Sequence, residues 1–267
     1  MSRRLTIFAK GNIDVQASLH SHRVAGELAW NGINELIRPR APGVSVRVRH
    51  ETFTRSDALL AATGTVPPDL AARALPFGSF PTTSQFSRAV FDGRYDAVVL
   101  SVQPDVYMQL HRHRADFYRL FASDERTWPA ADRDWLKREF ALTPLLDVAE
   151  SMRQFASIVA TIRAVAAEVP ILIYNVSTFD PADSAHCHQG FEETLAERAR
   201  RFNLGLIELS RQTGISVVDV DAVVARAGAA RLKLDALHLT AEGYRLVAAE
   251  VVHILADLGC LPEALAA

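Results

Sequence analysis

The sequence predicts an α/β fold, a three-layer, doubly wound parallel sheet of about five strands. Short apolar runs alternate with longer segments of helical periodicity along all 267 residues. Two of those runs, 97–101 and 171–176, are almost wholly apolar, as strands covered on both faces must be. Apolar residues make up 49% of the chain, enough for one sizeable core.

Taken in order, strands are expected at 5–10, 44–50, 97–101, 171–176 and 216–220. Helices are expected at 18–37, 82–91, 146–167, 192–213 and 241–258. Pro170 marks the entrance of the fourth strand, and Gly214 fits a helix stop. Residues 63–81 carry four prolines and read as an irregular surface insertion. Residues 103–143 separate a strand from its crossover helix and hold Tyr107, Phe117, Tyr118, Phe121, Trp128, Trp135 and Phe140. That is too aromatic for a linker. A helical insertion is expected there, either a cap over a pocket or a packing surface for the domain or for a second copy in a homodimer. With no internal repeat and no linker, residues 1–267 read as a single domain.

The net charge of −2 gives no nucleic-acid footprint. Arg greatly outnumbers Lys, which occurs only at Lys10, Lys137 and Lys233. Two cysteines, Cys187 and Cys260, make no disulfide framework. The N-terminus runs from Met1-Ser2-Arg3-Arg4 into the first strand without a secretory apolar region, and no apolar run reaches membrane-spanning length. A cytoplasmic protein with neither membrane nor nucleic-acid partner is expected.

Ligands of an open parallel sheet bind beyond the carboxyl ends of its strands. The segments at 11–21, 51–57, 102–105 and 177–188 follow such ends. Near the C-terminus the chain reads Asp235-Ala-Leu-His238-Leu-Thr-Ala-Glu-Gly243-Tyr244. An Asp three residues before a His lets one turn hold a carboxylate against one imidazole nitrogen and leave the other free for a proton. A loop His beside a helix cap is the bland alternative.

The string D-x-x-H-L-T-x-E-G-Y resembles the last signature block of the SGNH/GDSL esterases and lipases. The resemblance implies a flavodoxin-like strand order, 2-1-3-4-5, and a Ser–His–Asp triad that needs no cofactor. Its first block, Gly-Asp-Ser-Leu, meets Gly11-Asn12-Ile13-Asp14-Val15-Gln16-Ala17-Ser18-Leu19 in two registers. In one, Ser18 is the nucleophile and Ala17 replaces the Asp. In the other, Gly11-Asn12 stands for Gly-Asp, and Ile13 falls where the nucleophile should be. Ser18 is the favoured reading. As a residue opening a helix it would have free backbone N–H groups for an oxyanion, although Ser also opens helices with no other duty. Ser21 is a weaker candidate. The middle blocks match poorly. After the second strand Glu51–Asp57 contains no Gly, and Ser101-Val102-Gln103 replaces Gly-x-Asn. The Gln103 amide can replace that of the Asn. Asn12, Asp14 and Arg55 join it as oxyanion or substrate-binding candidates.

These residues give an esterase or deacylase acting on a small-molecule ester or acylated metabolite: Ser18 attacks, His238 moves the proton and Asp235 orients the ring. The same triad could transfer the acyl group to an alcohol or amine, and a degenerate site could bind a ligand without catalysis. A metal-dependent hydrolase is a further alternative. The H-x-H pairs His20/His22, His111/His113 and His186/His188, with Cys187, Asp14 and Asp105 nearby, supply ligand types but no zinc spacing. The charged residues Glu192, Glu193, Glu197, Arg198, Arg200 and Arg201 are expected on a solvated helix face, and Trp30 in the core.

Overall fold

The computed structural model describes residues 3–179 and 193–261. Five parallel strands form its main sheet: β1 (Arg3–Lys10), β2 (Val44–Glu51), β3 (Ala97–Ser101), β4 (Ile171–Tyr174) and β5 (Ser216–Val218). Their order is 2-1-3-4-5. β1 pairs with β2 from Arg3 opposite Val44 to Lys10 opposite Glu51, and with β3 from Ile7 opposite Ala97. The order therefore reverses between β1 and β3, which opens a crevice at their carboxyl ends.

Strand alternation divides the core. Leu5, Ile7 and Ala9 of β1 pack on one face with α1 (Ile13–Leu19), α2 (Asn34–Arg40) and the C-terminal helix, through Val15, Leu19, Ile37, Val247, Val251 and Leu255. Phe8 points to the other face, where Phe155, Ile158, Phe202 and Leu206 cover it. That layer holds α3 (Ser56–Ala61), α4 (Gln103–Tyr107), α5 (Val148–Val165) and α6 (Leu195–Thr213). Asp147 caps α5 by accepting from Ala149 N at 2.8 Å, and Gly214 closes α6 with φ +67°. The chain then forms α7 (Val220–Ala227) and α8 (Ala241–Asp257).

The expected helix over 18–37 does not form as one unit. α1 stops at Leu19, a two-stranded antiparallel hairpin runs Ser21–Val24 and Glu27–Asn31, and α2 begins at Asn34. Ala25 and Gly26 make the turn with φ +50° and +87°, the paired positive values of a two-residue hairpin loop. Gly32 then passes so near the Leu19 carbonyl and His20 that a Cβ would sit 3.0 Å from both. Two glycines needed in left-handed backbone outweigh the helical periodicity.

The segment over 103–143 is not simply helical either. It carries a three-stranded antiparallel sheet of Arg119–Leu120, His111–His113 and Phe140–Leu142, together with the helix Ala130–Glu139. Its Trp128, Trp135 and Phe140 share a third apolar cluster with Leu70 and Phe77 from the preceding insertion and with Phe86 just after it. Phe80 meets Phe121 with ring centroids 4.7 Å apart, and Gln85 bridges both backbones, donating to Phe80 O at 2.7 Å and accepting from Phe121 N at 2.8 Å. The two insertions thus fold onto one another. Among the described residues no helix is long and apolar enough to cross a membrane.

Candidate active site

A cavity of about 280 Å³ opens at the carboxyl ends of β1, β2 and β3. Asn12, Ile13 and Gln16 contribute from the turn after β1 and from α1. Thr52 follows β2, and Gln103, Pro104, Tyr107 and Met108 come from α4 and its end. Leu237 and His238 close a third side, while Ser79 and Phe80 reach in from the first insertion. The polar groups of this lining are amides, hydroxyls and one imidazole, beside aromatic and aliphatic side chains.

His238 is fixed by its own turn. Asp235 Oδ1 accepts from the backbone N–H of Leu237 and of His238, each at 2.8 Å, and Asp235 Oδ2 lies 2.7 Å from His238 Nδ1. Burial pushes the Asp235 carboxyl up, but the bonds from the His238 ring and the two N–H groups outweigh it and leave the pKa lowered. An ionised carboxylate only accepts, so Nδ1 carries a proton toward Asp235 and Nε2 is the ring nitrogen left for the cavity. The turn is anchored by Leu234 N to His238 O at 2.9 Å and Thr240 N to Leu232 O at 2.7 Å. Gly243 is required because a Cβ there would lie 2.9 Å from Leu232 O and from the Leu239 side chain. Tyr244 accepts from Leu239 N at 3.2 Å, and burial pushes its phenol up to about 12. The motif is therefore one unit in which Asp235, Thr240, Gly243 and Tyr244 fix the turn that carries the imidazole.

Ser18 is not brought to this cavity. α1 begins at Ile13, so Ser18 lies in the last turn of the helix instead of opening it. Its side chain is wholly buried. The hydroxyl lies 2.8 Å from Asp14 O and 3.1 Å from Val15 O, and 2.9 Å from the equally buried Tyr174 hydroxyl. Burial pushes the Tyr174 phenol well above its ordinary range, and with the Ser18 proton directed to a main-chain carbonyl the phenol is the donor to the Ser18 oxygen. A hydroxyl closed off in this way cannot approach a carbonyl in the cavity. The residue that lines the cavity at the start of α1 is Ile13, as the second register of the first block expects. Ser21 lies exposed in the hairpin.

The other candidates divide. Asn12 lines the cavity, with Oδ1 accepting from Phe53 N at 3.2 Å and Nδ2 directed to Met108 Sδ at 3.9 Å. Gln103 also lines it, with Nε2 3.5 Å from Leu237 O. Asp14 does not. Its carboxylate turns back to accept from Asn12 N at 3.1 Å and to bond Ser101. Arg55 is unavailable to a substrate, being 2% exposed and clamped on Asp57 at 2.9 and 2.7 Å and on Pro144 O at 2.9 Å. Sequence reasoning missed Thr52, Ser79, Phe80 and Met108, while Tyr107 is expected only within a segment that caps a pocket or packs on the domain. Only Thr52 carries a readable signal, since it follows a strand end directly.

Among the described residues no group of three or more His, Cys, Asp or Glu is arranged to hold a metal. His20 packs against His50 at 5.8 Å, and burial lowers the pKa of both rings. The His22 side chain and residues His186, Cys187 and His188 lie outside the described set. His111 and His113 are in the small sheet, 3.0 Å from Glu125 and 3.1 Å from Asp116 respectively. Asp105 is fully buried and accepts from Ser56 N at 2.8 Å and Ser151 Oγ at 2.6 Å. Arg198 departs from the expected solvated face. It is buried and donates to Val106 O at 2.8 Å and to Glu193 at 2.9 Å, tying α6 to α4. Trp30 is in the core as expected, donating to Ala17 O at 3.0 Å.

Residues 140–246, which include the Asp235–His238 turn, match the GDSL-like Lipase/Acylhydrolase family. No curated protein sequence matches the chain. Solved structures that share the fold include the following two. LAE5, an alpha/beta hydrolase enzyme from the metagenome of Lake Arreo, is similar at 15% identity and TM-score 0.51, covering 97% of each chain. Axe2, an acetylxylan esterase from Geobacillus stearothermophilus, is similar at 13% identity and TM-score 0.51, covering 96% of this chain and 94% of its own. The matched block with its buttressed imidazole and the 2-1-3-4-5 sheet agree: over residues 140–246 the chain is similar to the GDSL-like Lipase/Acylhydrolase family.

Proposed function

We propose that this protein binds a small, uncharged acyl ester in the cavity and cleaves it by general-base catalysis from the Asp235–His238 pair, without a serine acyl-enzyme. One observation carries the reading: the buttressed imidazole and the start of α1 line the same cavity, and the α1 residue there is Ile13. The attacking oxygen then comes from water or from an acceptor hydroxyl. His238 Nε2 takes its proton as it adds to the ester carbonyl. The Asn12 and Gln103 amides face the oxygen on which charge develops. Collapse of the tetrahedral adduct expels the alcohol, which recovers the proton from His238. Asp235 stabilises the imidazolium in between. Solution by an acceptor hydroxyl makes the same geometry an acyltransferase.

The lining supports an uncharged substrate, since apart from the His238 imidazole its polar groups are amides and hydroxyls, beside Phe80 and Tyr107. That chemistry suits a hydroxyl-rich acyl ester, and Axe2, of the same fold, is an acetylxylan esterase. The test is release of p-nitrophenol from short acyl esters by the wild type, Ser18→Ala and His238→Ala. The proposal expects release by the first two and its loss in the third. Ile13 also favours a second reading, a non-catalytic acyl-ligand binder. Ligand-induced thermal stabilisation without turnover on any ester would select it.

A further inference from the structure

The turns after β1 and β3 are tied by a bridge that the family blocks do not contain. Ser101 stands where the resembled block has Gly, and Asp14 follows the turn after β1. Asp14 Oδ1 accepts from the Asn12 backbone N–H at 3.1 Å. Its Oδ2 is bonded to the Ser101 hydroxyl, and Ser101 Oγ accepts from Gln103 N at 3.0 Å. Asn12 and Gln103 are the two residues whose side-chain amides line the cavity from these turns. We propose that Asp14 and Ser101 together are positioning residues that fix the separation of the Asn12 and Gln103 amides and so shape the cavity's polar wall.

Three features support a positioning role over simple packing. Ser101 is wholly buried at the last residue of β3, so its hydroxyl is oriented by its strand. Asn12 is held from a second direction by Phe53 N at 3.2 Å, and its backbone bond to Asp14 joins it through Ser101 to β3 beside the weak contact of its Nδ2 with Met108 Sδ at 3.9 Å. Burial pushes the Asp14 carboxyl up while the Ser101 hydroxyl pulls it down, so the two groups report on each other. Neither bridge residue lines the cavity. They act through the two amides.

This inference rests on the cavity being the ligand site, but its test needs no turnover. The side-chain NH2 signals of Asn12 and Gln103 are followed by proton–nitrogen NMR in the full chain and in Ser101→Ala, Asp14→Asn and Asp14→Ala. Asn34, bonded to Val46 O at 2.8 Å, and Asn175, bonded to Asp219 at 2.8 Å, serve as internal controls. The bridge predicts that Ser101→Ala moves both the Asn12 and the Gln103 signals. Asp14→Ala moves both as well, and Asp14→Asn, which keeps one oxygen and the size, moves them less. The controls stay in place. A Ser101→Ala protein in which Gln103 moves and Asn12 does not would overturn the coupling. So would control signals that move as far as the two cavity amides. Where esters are turned over, the same variants should lower kcat more than they raise KM, since the two amides face the oxygen on which charge develops.

Discussion

Replacing Ser18 with Ala separates structure from chemistry at the most ambiguous position in the chain. The Ser18 and Tyr174 side chains are fully buried and their hydroxyls lie 2.9 Å apart. Among the described residues, Ser18 is the hydrogen-bond partner of that phenol. Ser18→Ala leaves the phenol buried and unbonded, which costs about 1–3 kcal/mol. For a chain of this size that lowers the melting temperature by roughly 2–4 °C per kcal/mol. Tyr174→Phe removes the other half of the pair. The double variant should therefore lose less than the two single losses added, because neither group is then orphaned. Thermal unfolding measures all three, and ester turnover is measured on the same samples at 25 °C. The expected result is a destabilised Ser18→Ala protein with undiminished turnover. Loss of turnover by about a hundredfold or more at unchanged stability would refute the reasoning, because it would make Ser18 the attacking group.

Other perturbations test neighbouring parts of the account. His238→Ala is expected to lower kcat/KM by about 10²–10⁴, the range of general-base assistance, with a smaller loss in Asp235→Asn, both read by ester turnover. Ile13→Ser places a hydroxyl at the start of α1 on the cavity wall. It should confer labelling by a fluorophosphonate probe that the wild type lacks, and His238→Ala in the same chain should abolish it. Buried Asp105 is raised from 3.8 to about 6, chiefly by burial. A raised carboxyl favours folding when protonated, so its contribution is complete below the unfolded value and is lost as pH rises through about 6. The stability difference between wild type and Asp105→Asn should therefore shift by about 1.4 kcal/mol in favour of the wild type between pH 7.5 and pH 5, measured by urea unfolding.

The parts of the fold that are legible in the sequence are those set by local pattern. Strands β3 and β4 lie between two helical layers, so their apolar runs are unbroken and easy to read. Asp235 and His238 interact within one turn, and the spacing alone announces the pair. Ser18 is different. Its surroundings depend on Tyr174, 156 residues away, and no local rule reports that a hydroxyl at a favourable helix position has been sealed. The hairpin at 21–31 escaped for a related reason. Its apolar spacing suits a helix, and only the positive φ of Ala25, Gly26 and Gly32 shows why the chain leaves it. Arg198 read as part of a solvated charge run because the carbonyls of Asp105 and Val106, which bury it, come from another helix, α4, far back in the chain. The cavity walls from Ser79 and Phe80 are set where two insertions pack on each other, and those from Tyr107 and Met108 by the packing of α4 on the sheet. That is long-range packing, which spacing does not reveal.

The central claim is that His238 activates an incoming oxygen with no acyl group passing through the protein. Intact-protein mass spectrometry, sampled during steady turnover of p-nitrophenyl acetate, tests it most directly. The account predicts continuing p-nitrophenol release by a protein whose mass never gains an acetyl group, with release abolished in His238→Ala. An acetylated species that forms and decays at the turnover rate, mapped by proteolysis to Ser18, would contradict it.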